Sequence, residues 1–227
     1  MLLAERSDTF PPFSPKGVLV DAEKLALHLH KDRYGAFWLT DAIRPSVDLP
    51  VVPAEGFRLD TYRDARTGIE VPALVGAISR ERLFDVFLGL LDPLGEVVDV
   101  VLETSHANEG SSHRDLYREQ IDLPVFKSHC YDFEDLLLHD GCTGVAVIST
   151  AAPMEVQFDE HKLLVVYARD LAPFEENLRQ AGIPYSEKIK FITEAEHLHS
   201  TEPRFTSAFE QFCMRLGVAE AAEHVNW

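Results

Sequence analysis

The stretch from Ser79 to Glu103 constrains the fold most, because within it the apolar pattern changes period once and abruptly. RERLFDVFLGLL puts Leu83, Phe84, Phe87, Leu88 and Leu91 on one stripe at helical spacing, with Ser79 placed to cap it and Asp92-Pro93 placed to stop it. EVVDVVLE follows at once, short and rich in β-branched residues, and predicts a strand. A one-sided helix tied to a strand by a few residues must bury its stripe against a sheet.

The same alternation runs through the chain. Asp21 is placed to cap AEKLALHLH, GAFWLT reads as extended, and FRLDTYRD and IEVPALVGAI read as a hairpin around ARTG. In the second half Asp132 is placed to cap FEDLLLH, and Gly141 to end it in a left-handed conformation. VAVIST is extended, MEVQF and KLLVVYA form a hairpin around DEH, Asp170 is placed to cap LAPFEENLRQA, and KIKFI closes the pattern as a short strand. Each half therefore reads helix-strand-strand-strand-helix-strand.

Matching Gly35 to Gly144 also matches His30 to His139 and Thr40 to Ser149; matching Phe84 to Phe174 sets Ala73–Val75 over Leu163–Val165. The expectation is an internal duplication: an α+β protein of two pseudo-repeated lobes, each a mostly antiparallel sheet with helices on one face. The first lobe covers 13–108, a helical linker 109–130, and the second lobe 131–227, closing with the amphipathic helix RFTSAFEQFCMRLG. A groove between the lobes is the expected ligand site.

Composition narrows the function. With 38 acidic against 21 basic side chains the formal charge is -17, the wrong sign for binding a phosphate backbone, so nucleic acid is not expected as a partner. Three cysteines without a C-x-x-C pair suggest neither a disulfide framework nor a zinc knuckle. No run approaches the ~18 apolar residues of a membrane span, and MLLAERSD lacks the basic and apolar regions of a signal peptide, so no membrane partner and a cytoplasmic location are expected. G-x-S-x-G, H-E-x-x-H, G-x-x-x-x-G-K-[ST] and G-x-G-x-x-G are all missing from the chain, and no cofactor is expected.

The candidate site residues are drawn from ten histidines and the carboxylates near them. His30 and His139 each fall in the last turn of a predicted helix, where the carbonyl end of the dipole favours them; a symmetric binding site built from both is the functional reading. In TEAEHLHSTE, His197 and His199 would share a face in a strand and could jointly chelate, whereas in a helix Glu194 and His197 become neighbours. An exposed helical turn is the expectation there. Glu103, His106, His113 and Asp115 offer carboxylate and imidazole ligands of the kind zinc, iron or nickel accept. Against that, Ser112 and Asp115 have the spacing of a helix N-terminus, with His113 the first helical residue. DEHK, Asp159 to Lys162, reads as a charged turn.

The leading expectation is an acidic, cytoplasmic, non-catalytic binding or regulatory protein holding a protein partner or small molecule between its lobes. The alternative is a metal-dependent enzyme with a dispersed His/carboxylate site. A third reading is a homo-oligomer assembled through the Phe205 to Leu216 stripe.

Overall fold

The computed structural model describes residues 22–63, 68–106 and 113–220. The first half contains α1 (Ala22–Leu29), β1 (Arg33–Tyr34), β2 (Phe37–Trp38), β3 (Ile43–Pro45), β4 (Gly56–Arg63), β5 (Glu70–Ala77), α2 (Arg80–Leu90) and β6 (Val97–Thr104). Then come β7 (Arg114–Asp122), α3 (Leu123–Asp132), α4 (Glu134–His139), β8 (Thr143–Ser149), β9 (Met154–Phe158), β10 (Leu163–Ala168), α5 (Ala172–Gln180), β11 (His197–His199), α6 (Pro203–Leu216) and β12 (Ala219–Glu220). Among the described residues no helix is long and apolar enough to cross a membrane.

Eight strands form one sheet in the order β12-β7-β6-β8-β9-β10-β5-β4, and every neighbouring pair is antiparallel. The mixed α+β class with mostly antiparallel pairing agrees with the sequence reading. Two separate sheets do not form, however: β10 of the second half pairs with β5 of the first, Val75 opposite Val165, and β8 pairs with β6. The reason lies in β10 itself. Leu164 and Val166 face one side and Leu163 and Val165 the other, all buried, so the strand needs cover on both faces and a partner on both edges.

That cover differs on the two sides. On one face α2, α5 and α6 pack Leu83, Phe87, Phe174, Phe209 and Phe212 onto Val98, Val100, Val147, Val156 and Leu164. On the other, a smaller cluster sets Tyr34, Phe37, Ile43 and Phe191 against Ala77, Leu163 and Val165. A two-stranded ribbon of β3 and β11 lies apart from the main sheet, with His197 opposite Pro45 and His199 opposite Ile43.

Several local expectations are corrected. The segment after His113 is the strand β7 and not the start of a linker helix, because β6 would otherwise leave an open edge beside Val98, Val100 and Leu102. KIKFI is not a strand; Ile189, Phe191 and Ile192 are buried in the smaller cluster, and a 3-10 turn follows at Ile192–Glu194. The TEAEHLHSTE segment is extended at β11, not helical, since β3 supplies its ladder partner. Asp132 lies inside α3, with Phe133 at the N-cap of α4. Ser79 does precede α2, but its hydroxyl accepts the Trp38 N–H at 3.0 Å and donates to Glu81 instead of capping the helix. Asp170 accepts the Ala172 N–H at 3.0 Å at the start of α5, and Gly182 leaves that helix with φ +74°. Asp21 and most of the ARTG turn lie outside the described residues.

Candidate metal centre

The β9–β10 hairpin ends in Asp159-Glu160-His161-Lys162, and its tip is folded inward. Asp159 Oδ1 accepts the Leu163 N–H at 2.8 Å, closing the turn, while Lys162 takes a left-handed φ of +60°. The Lys162 side chain is buried, donates from Nζ to Thr143 O at 2.9 Å, and lies over the Phe158 ring. Burial chiefly, opposed by the nearby charges of Asp140, Asp159 and Glu160, brings its pKa down to about 8. This anchor ties the hairpin tip to the first residue of β8.

Fixed in that way, His161 meets the two histidines of β11. Ring centroids are 4.9 Å apart for His161 and His197, 4.8 Å for His161 and His199, and 5.2 Å for His197 and His199. One ligating nitrogen from each of the three lies within 4.8 Å of those of the other two. Alternation along a strand puts residues 197 and 199 on the same face, which is the reading of HLH that permits joint chelation.

Each ring is held by a partner that can only accept. His161 Nδ1 lies 3.0 Å from Asp159 Oδ2, His197 Nδ1 lies 2.8 Å from Ala195 O, and His199 Nδ1 lies 2.7 Å from Gly141 O. A carboxylate and two carbonyls fix the proton on Nδ1 in all three rings, leaving each Nε2 with a free lone pair when the ring is neutral. Metal-bound histidines are oriented by such outer partners. Burial, with added repulsion from His161 and His197, lowers the His199 pKa against the opposing pull of its Gly141 hydrogen bond. The neutral imidazole is the form that binds metal.

Gly141 is the pivot of this arrangement. Its N–H donates to Ser200 O at 2.8 Å and its carbonyl orients His199. A side chain there would collide with Ala42 O and come within 2.8 Å of Ser200 O. The glycine is therefore needed for close approach of backbones; it is not among the positive-φ residues, which corrects the expected left-handed helix end.

The other candidates are placed as follows. His30 is exposed in the turn after α1, its N–H on Ala26 O. His139 ends α4 and accepts the Asp41 N–H on Nδ1 at 3.2 Å, linking that helix to the turn before β3. Neither joins a cluster of three or more metal-ligating atoms found among the described residues. Glu103 faces Asp115 across β6 and β7, and His113, 59% exposed, lies 3.9 Å from Glu160. From that set only His106 enters a cluster, with Asp140 and Cys142. Glu194 is used structurally, accepting from Arg58 Nη1 at 2.7 Å and from the Phe191 N–H at 3.0 Å.

Sequence reasoning missed His161. The signal was an Asp-x-His at a hairpin tip, to be paired with His-x-His far along the chain, and no local spacing joins the two. No family model matches the chain, and no curated protein or solved structure matches it.

Proposed function

We propose that this protein is metal-dependent, with a divalent transition-metal ion held by His161, His197 and His199. The observation that carries this reading is the set of three imidazoles whose Nδ1 atoms are all committed to acceptors while their ring nitrogens converge within 4.8 Å. Three neutral nitrogen donors suit zinc and its neighbours in the first transition row. Three protein ligands would leave a metal ion a further coordination position for water or substrate. An ion held by these residues would supply Lewis acidity and acidify a bound water, the chemistry used in hydrolysis. Beside His161 a cavity of about 30 Å³ runs between Phe37, Leu163 and Phe191, room for roughly one water.

The acidic surface favours a small-molecule or cationic ligand over nucleic acid, in keeping with a cytoplasmic role. The duplication of residues 13–108 and 131–227 remains part of this reading, supported by the pairing of Val75 in the first half with Val165 in the second.

Elemental analysis of purified protein after dialysis tests the function. Zinc or a similar ion is expected to be retained, and about one equivalent of it to be lost in the His197→Gln, His199→Gln double variant. With free metal at 100 times its Kd, binding adds about 2.7 kcal/mol of stability, read as a raised Tm that a chelator reverses. Metal-free protein whose Tm responds to neither zinc nor chelator overturns the reading and leaves a non-catalytic binding protein in its place.

A further inference from the structure

A second convergence lies next to the histidine triad. His106, just beyond β6, places Nε2 2.8 Å from Asp140 Oδ2, and one ligating atom each from His106, Asp140 and Cys142 lies within 4.8 Å of the other two. The three come from two parts of the fold. His106 follows the Thr104 end of β6, and Asp140 and Cys142 flank Gly141 in the turn from α4 to β8. That same Gly141 gives its carbonyl to His199, so the two clusters share a backbone hinge point.

Asp140 has no exposed surface, a costly position for a carboxylate unless cations or donors surround it. It accepts from Thr143 Oγ1 at 2.5 Å and the Cys142 N–H at 3.3 Å, besides His106. Burial works to raise its pKa, but hydrogen bonds from His106, Thr143 and Thr201 outweigh it, and the group stays a carboxylate. Cys142 is in the opposite situation. Burial first, and then the charges of Asp140 and Glu160, push its thiol up, despite a hydrogen bond from Ser105. A bare thiolate beside two carboxylates is disfavoured, which makes Cys142 a poor nucleophile, whereas a bound cation would neutralise the site and deprotonate the thiol outright. Lys162, the buried cation nearby, is committed to Thr143 O.

We propose that His106, Asp140 and Cys142 form a second cation site, for a thiophilic divalent ion of the zinc type, distinct from the three-histidine centre. In the metal-free protein a proton lies between His106 Nε2 and Asp140 Oδ2. The incoming ion takes that place: the imidazole proton moves to Nδ1, which faces Thr206 Oγ1 at 3.4 Å, and the Cys142 thiol proton leaves to solvent. The Phe209 ring packs 5.9 Å from that of His106, so α6 closes one side of the site.

Cobalt(II) titration of the full chain under reducing conditions tests this, because a thiolate ligand adds a near-ultraviolet charge-transfer band that imidazole ligands lack. The wild type is expected to show that band, Cys142→Ser to lose it, and His106→Gln to weaken cobalt uptake at this site on the order of tenfold or more. The band should persist in the His197→Gln, His199→Gln double variant. Its absence from the wild type at saturating cobalt, or its survival in Cys142→Ser, overturns the second site. The visible ligand-field bands left in Cys142→Ser report the histidine centre separately, so the failure of either reading is seen apart from the other. Circular dichroism of each variant confirms folding.

Discussion

At Gly141 a missing side chain controls the chemistry of another residue. The Gly141→Ala variant must push its Cβ away from Ala42 O and Ser200 O, backbone atoms that cannot swing aside. A loss of about 1–3 kcal/mol or more is expected in denaturant unfolding. The same shift moves the carbonyl that orients His199, and metal affinity should fall about 10- to 100-fold. A variant that loses stability but binds metal as tightly as the wild type would separate the two roles. Thiols give a second check at this scale. Burial pushes the Cys213 thiol up to about 11, so at mildly alkaline pH its thiolate is on the order of a hundredfold scarcer than that of an open cysteine. Cys130 is fully buried and its thiol is pushed higher still, also by burial. Alkylation followed by mass spectrometry should label Cys213 slowly and Cys130 only after unfolding.

Among the elements, α6 has the clearest division of labour. Phe205, Phe209, Phe212 and Leu216 are buried against the sheet, while Met214 is 73% exposed. Phe212→Ala is expected to cost about 3–5 kcal/mol and Met214→Ala close to nothing, as read by chemical denaturation. Equal small effects would mean that α6 does not seal the core. The periodicity of RFTSAFEQFCMRLG made this helix legible, as it did α2 and α5. The short ribbon of β3 and β11 was not legible, because three residues on each strand carry too little pattern to outweigh the helical reading of TEAEHLHS. Pairing with β3 decided it, and with it the alignment of His197 and His199.

For the whole molecule, the continuous sheet predicts one cooperative unit. Since β10 pairs with β5 and β6 with β8, neither half can unfold and leave the other with a covered edge. Scanning calorimetry of the metal-free protein should show a single transition with matching calorimetric and van't Hoff enthalpies; two resolved transitions would restore independent lobes. With a formal charge of -17, moderate salt should raise that Tm by screening the self-repulsion of the acidic side chains.

By itself the sequence determined the mixed α+β class, most helices, the two long hairpins and the acidic surface, since each depends on residues close together in the chain. It also marked His197 and His199 as a pair that a strand would align. Only the tertiary structure decided that one sheet holds both halves, that His161 completes the triad, and that His106 meets Asp140 and Cys142. Ligand sets of this kind depend on loops brought together by pairing between distant strands. Local periodicity carries no record of those distances.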